Sequence, residues 1–280
     1  MGLLIALIIN SINPGFEFLR IENMSPGIDA INGVWGNYAQ LSLSGDFAGF
    51  NYTSWFLDES IYSIYAKKGS WGVRFRYFNM GEVEYQGEQP RDDLMLKFSP
   101  YASELSIGRA FRIDDETSFG VGATGFMSRL YETTATGYSL SAGLLYMPHK
   151  VKGLSIAAYI KDFGFKRAYI GTPINVPTEA AAMFQYKIKD RAVVGYGWKK
   201  ALTFKSDSIS SDLENTHIFY GKLMFNDVEV FASYEKGQTV IPLTVGLSFS
   251  VKNRLRFFYI YRHGFYNLNS PFMTGIQMEF

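Results

Sequence analysis

The chain has 280 residues, 27 basic and 26 acidic side chains for a formal net charge of +1, no cysteine, and a mean hydropathy of −0.03. The near-neutral balance, with no basic stripe, removes the electrostatic motive for nucleic-acid binding, and the lack of cysteine excludes disulfides, Cys-ligated zinc and thiolate nucleophiles. Aromatic content is 17%, with 19 Tyr and 24 Phe, yet no apolar run approaches the ~20 residues that a membrane-crossing helix requires, so strands are the only route into a bilayer.

Residues 1–15 carry the apolar run Leu3, Leu4, Ile5, Ala6, Leu7, Ile8, Ile9 without a basic leading region or a small-residue cleavage site. The stretch reads as a damaged or mis-started export signal, with an N-terminal strand or hydrophobic anchor as the alternative. Residues 16–46 mix Gly, Asn and Ser with isolated Phe, Ile and Trp, a composition that suits a segment folded inside a wall better than the wall itself. A disordered leader is the alternative there.

From residue 47 to the end the pattern becomes two-faced. Trp71, Val73, Phe75 and Tyr77 oppose Gly72, Arg74 and Arg76; Tyr138, Leu140, Ala142, Leu144 and Tyr146 oppose Ser139, Ser141 and Gly143; Leu243, Val245, Leu247, Phe249 and Val251 oppose Thr244, Gly246, Ser248 and Ser250. Alternation with period two is a strand signature that a helix does not produce. Residues 154–161, 192–198, 228–235, 255–262 and 274–280 repeat it. Rings gather near segment ends, as at Trp71, Tyr77, Tyr138, Tyr146, Trp198 and Tyr261, where the two headgroup levels of a bilayer favour them.

Connections alternate between short and long. Short links are expected at residues 68–70, 148–152, 189–190, 226–227 and 252–253, and long polar stretches at 79–93, 131–136, 164–178, 201–215, 236–241 and 264–272. Short turns on one side and long loops on the other are the arrangement of an outer-membrane barrel. The expected fold is therefore all-β: a transmembrane antiparallel β-barrel of about fourteen strands over residues 47–280, in the bacterial outer membrane, with an even strand number and both ends on one side.

Arg74, Arg76, Lys161, Glu229, Glu235, Arg256, Arg262 and Glu279, with Gln277, fall on the polar face of their strands, so they are expected to face the lumen. There they can pair with one another, hold a plug or line a path, and a structural ion-pair network is the favoured reading. Ile276, Met278 and Phe280 place apolar side chains at alternate positions up to a C-terminal Phe, an ending that resembles the signal by which barrel-assembly machinery recognises its clients. The expected partners are thus outer-membrane lipid and that machinery.

Chemistry is scarce. His149, His217 and His263 are isolated from one another in sequence, without metal-ligand spacing. Gly120, Gly122 and Gly125 form Gly-x-Gly-x-x-Gly, but inside an alternating segment rather than between a strand and a helix, so they are expected to make room in the lumen or relieve wall curvature. Asp92, Asp93 and the Asp114, Asp115, Glu116 turn lack calcium-loop spacing. No cofactor, no metal and no enzymatic activity are expected.

Several segments resemble the PorV/PorQ family of outer-membrane proteins: Phe16-Glu17-Phe18-Leu19-Arg20-Ile21, Phe50-Asn51-Tyr52-Thr53-Ser54-Trp55-Phe56-Leu57-Asp58, Gly72-Val73-Arg74-Phe75-Arg76-Tyr77-Phe78 followed by Met80-Gly81-Glu82-Val83-Glu84, and Gly153-Leu154-Ser155-Ile156-Ala157-Ala158-Tyr159-Ile160-Lys161-Asp162-Phe163-Gly164 followed by Val176-Pro177-Thr178. Residues 26–30 match only loosely, and the family's Asn-Pro-Ala element is missing. The resemblance implies a fourteen-strand barrel related to the FadL transporters, with residues 16–46 folded into the lumen as a plug. It further implies an accessory or cargo-binding role in protein export to the cell surface through a type IX secretion system, with secretion components or exported cargo as partners. The alternative is FadL-like transport of hydrophobic small molecules.

Overall fold

A computed structural model of the chain describes residues 33–43, 45–55, 59–85, 96–130, 133–166, 174–175, 178–189, 191–205, 208–210, 215–237, 243–252, 254–263 and 270–280. Two short 3₁₀ turns, η1 (Gly33–Trp35) and η2 (Tyr38–Ser42), come first. Strands then follow in chain order: β1 (Phe47–Ser54), β2 (Ser60–Lys68), β3 (Trp71–Asn79), β4 (Val83–Tyr85), β5 (Leu96–Phe98), β6 (Tyr101–Arg112), β7 (Thr117–Leu130), β8 (Thr133–Tyr146) and β9 (Leu154–Lys166). They continue as β10 (Ile174–Asn175), β11 (Thr178–Ile188), β12 (Ala192–Lys205), β13 (Ser208–Ser210), β14 (Thr216–Phe225), β15 (Val228–Lys236), β16 (Leu243–Val251), β17 (Leu255–Arg262) and β18 (Phe272–Glu279).

Fourteen of these form the wall, each paired antiparallel with its neighbours along the chain, and β18 pairs with β1 to close the ring. The other four are accessory: β4 and β5 make a hairpin, β10 pairs with β9, and β13 folds back on β12. Closure leaves no free edge, so every backbone donor and acceptor in the wall finds a partner without water.

The strand faces follow the sequence alternation. On β3 the burial runs exposed and buried by turns, with Trp71, Val73, Phe75 and Tyr77 outside and Gly72, Arg74, Arg76 and Phe78 inside. The same holds on β6, where Leu105 and Ile107 lie outside and Glu104, Ser106 and Gly108 inside. An outer surface of exposed Ile, Leu, Val and Phe around a wall of charged and small residues is the inverse of a soluble protein, and it fits hydrocarbon outside. This is an outer-membrane barrel.

Short connections lie at residues 69–70, 113–116, 147–153, 189–191, 226–227 and 252–254, and β1 begins and β18 ends on that same side. Two expected long stretches differ. Residues 133–136 belong to β8, and β7 and β8 stay in register up to Leu130 opposite Thr133. Residues 201–205 likewise extend β12 and pair with β13. Residues 133–136 are rich in β-branched Thr133, Thr134 and Thr136, which favour continued pairing, whereas residues 201–205 are Ala-Leu-Thr-Phe-Lys and largely apolar. Residues 1–32, including the expected export segment, lie outside the described residues.

Candidate functional site

The interior of the barrel begins with η1 and η2 at the short-turn end. Trp35, Tyr38 and Leu41 are almost fully buried there against Phe47, Tyr65 and Ala110, and Ala39 against Leu145 and Ala157. Asn37 caps η2 by accepting the Ala39 backbone N–H on its Oδ1 at 3.0 Å, and its Nδ2 donates to the Leu144 carbonyl at 3.0 Å. The Ser42 hydroxyl donates to Ser118 Oγ at 2.9 Å. Trp35 meets Tyr65 edge-on at 6.3 Å and carries the Arg74 guanidinium over its ring at 5.2 Å.

The approach of this inner segment depends on missing side chains in the wall. A Cβ at either Gly108 or Gly122 would fall 2.0 Å from the Tyr38 ring, and one at Gly120 would fall 2.1 Å from the Ala39 backbone nitrogen. Two glycines of the Gly-x-Gly-x-x-Gly run thus receive the inner segment. Gly125 faces outward with nothing within 4 Å of an added Cβ, and the run continues as strand β7 with no helix behind it. Burial of Trp35, Tyr38 and Leu41 stabilises the seated segment by about 1.5–3 kcal/mol for each side chain.

Beyond the inner segment comes a layer of ions. Arg74 and Arg76 both hold Glu104, Arg74 Nη2 at 2.9 Å from Oε1 and Arg76 through an ion pair to Oε2. Ser106 donates to the same carboxylate at 2.7 Å and receives Thr124 at 3.1 Å. Lys161 lies 3.4 Å from Asp162, whose carboxylate also accepts the Ser139 hydroxyl at 2.9 Å. Both Lys161 and Asp162 are buried because the β8–β9 register slips between Leu140 and Ala142, with Asp162 at φ +58°.

Across the lumen the pattern recurs. Glu229 sits between Arg256 at 2.9 Å and Lys222 at 3.9 Å, and Glu235 between Arg262 at 3.0 Å and Lys199 at 3.4 Å. Three wall carboxylates are therefore each flanked by two cations. Such an arrangement neutralises buried acids and leaves the lumen electropositive; it supplies no nucleophile. Gln277 is buried on this face, while Glu279 shares the face at the open rim and is exposed.

Between the ionic groups the lumen is apolar. Ile61, Phe78, Ala102 and Phe126 cluster with Met80 towards the long-connection end, and Phe231, Phe258, Ile260 and Met273 form a second patch. A cavity of about 460 Å³ opens at the short-turn mouth, lined by Leu43, Met147, His149, Lys152, Leu154 and Gln185 among others. His217 is engaged with the Tyr196 hydroxyl through Nδ1 at 2.6 Å, and His263 is exposed after β17. Among the described residues no group of three His, Asp or Glu side chains could hold a metal ion.

Of the lumen set read from sequence, Arg74 and Arg76 come together on Glu104, Arg256 and Glu229 pair, and so do Arg262 and Glu235. Sequence reasoning missed Glu104, Asp162, Lys199 and Lys222. The signal for Glu104 was present: Ala102, Glu104, Ser106, Gly108 and Ala110 alternate against Leu105 and Ile107. For Asp162 it was not, because a bulge breaks the parity that assigns faces.

No family model matches the sequence, and neither does any curated protein sequence. Solved structures do resemble it. The toluene transporter TodX of Pseudomonas putida superposes with a TM-score of 0.61 at 12% identity, covering 90% of this chain and 93% of that one. The monoaromatic hydrocarbon channel CymD gives 0.58 at 10% identity over 89% and 92% of the two chains. A FadL homologue of Pseudomonas aeruginosa gives 0.57 at 10% identity over 90% and 94%. At such identities the likeness is one of fold: a FadL-like outer-membrane barrel.

Proposed function

We propose that this protein is a non-enzymatic outer-membrane channel for hydrophobic small molecules, with residues 16–46 acting as a plug at its short-turn end. The observation that carries this reading is the lumen itself: Ile61, Phe78, Ala102 and Phe126 form a buried apolar cluster towards the long-connection end, while η1 and η2 pack against the inner wall at the opposite end. An apolar molecule entering from outside meets a surface that favours it over water, and it leaves by displacing the inner segment. Structures of similar fold include a toluene transporter and a monoaromatic hydrocarbon channel, which supports this class of cargo over a protein.

The export role implied by the PorV/PorQ resemblance has no comparable support, since the loops that would bind cargo fall largely outside the described residues. The assembly role of Ile276, Met278 and Phe280 stays a proposal as well; Met278 and Phe280 are exposed at the end of the closing strand.

The test is uptake of radiolabelled toluene by cells whose outer membrane carries the full chain. Uptake well above cells with an empty vector, and its loss in Phe126→Glu at unchanged expression, is the expected result. No increase, together with co-purification of surface proteins in mild detergent, would replace channel by export.

A further inference from the structure

The outer wall carries a feature that neither transport nor plugging uses. Lys68, Trp71 and Arg109 are direct cross-strand neighbours on β2, β3 and β6, Lys68 opposite Trp71 and Trp71 opposite Arg109. All three are exposed on the lipid-facing side at the short-turn end. The Arg109 guanidinium is clamped between two rings, 4.9 Å from the centre of Trp71 and 4.7 Å from that of Phe111. Next to this row the wall turns wholly apolar, with Val73, Phe75, Leu105 and Ile107 exposed on the same two strands.

Two cations on a surface that faces hydrocarbon need counter-charge. Neither Lys68 nor Arg109 has an acidic partner among the described residues, and the nearby turn carboxylate, Asp46, is engaged by Lys67 at 3.8 Å and by the Gly69 amide at 2.7 Å. The counter-charge therefore comes from outside the protein. Adjacent strands lie about 4.8 Å apart, so Lys68 and Arg109, with β3 between them, have backbones about 10 Å apart, within reach of one headgroup for their long side chains, with Trp71 at the interface where indole is favoured and the apolar ridge taking the acyl chains.

We infer that Lys68, Trp71 and Arg109 form a binding site for a phospholipid of net negative charge in the leaflet at the short-turn side. The two rings hold Arg109 outward and ordered, so its donors are already placed for phosphate. The site lies on the outer wall and is independent of what passes through the lumen.

Native mass spectrometry of the detergent-purified full chain, titrated separately with phosphatidylglycerol, phosphatidylcholine and lipid A, tests this. Phosphatidylglycerol is expected to be retained preferentially, and the preference to fall about fivefold for each cation removed in Lys68→Gln and Arg109→Gln. Lys200→Gln, at the opposite end of β12, should leave it unchanged. A double variant that keeps the wild-type preference overturns the site, as does stronger retention of lipid A, which belongs to the other leaflet. If the double variant loses its heat-modifiable migration, the two single variants are read by the same criterion.

Discussion

Glu104 is the side chain on which the lumen's ion layer turns. It is buried, accepts from Arg74, Arg76 and Ser106, and reaches Thr124 through Ser106. Removing its charge leaves two buried guanidinium groups without a carboxylate, a loss of about 3–5 kcal/mol when one partner of a buried pair is taken away. Glu104→Gln is therefore expected to lower the urea midpoint of the refolded barrel strongly, whereas Glu279→Gln at the rim should change stability by less than ~0.5 kcal/mol. Equal effects would mean that the layer is not what holds this region. Arg256→Leu and Arg262→Leu each leave an acid still beside a cation, Lys222 or Lys199, so both should cost less than Glu104→Gln. At this scale the sequence was half legible: alternation placed Arg74 and Arg76 inside, and two inward arginines on one strand require an acid, but which neighbouring strand supplies it depends on register.

Among the elements, η2 and its glycine cradle are the pair most open to test. Gly122→Leu would drive a side chain into the Tyr38 ring and Gly125→Leu would add one to open outer surface, so chymotrypsin should gain access to Trp35, Tyr38 and Leu41 in the first and not in the second. Identical digestion of both would contradict the seating of η2. The turn between β6 and β7 gives a pH-dependent element. The Asp114 carboxyl is held below the usual range by the Glu116 backbone N–H first; desolvation opposes this, and hydrogen bonds from Thr117 add to the lowering. A depressed folded-state pKa contributes stability that is present above the unfolded value and lost as pH falls through the folded one. Exchange of the Glu116 and Thr117 amides should thus be protected at neutral pH and lose relative protection below pH ~4, and Asp114→Asn should remove that dependence. Strand identity was readable from alternation, whereas strand length was not, because β7–β8 pairing continues through the threonine-rich residues 133–136 and β12 continues to Lys205 against β13.

For the whole molecule, an even meander of fourteen strands closed by β18 on β1 was predictable from two-faced segments joined by alternating short and long links. Residues 33–43 were harder to place: isolated apolar residues without periodicity fit several surroundings, and only the glycines opposite them hint that something approaches the wall. The absence of native cysteine makes the central claim directly testable, since Ser42 and Ser118 have their hydroxyls 2.9 Å apart and their exchange for cysteine bridges the inner segment to the wall. In the full chain carrying Ser42→Cys and Ser118→Cys, toluene uptake should fall when the bridge is oxidised and return when it is reduced. Uptake that is indifferent to a bridge shown to have formed would contradict a channel gated by its inner segment.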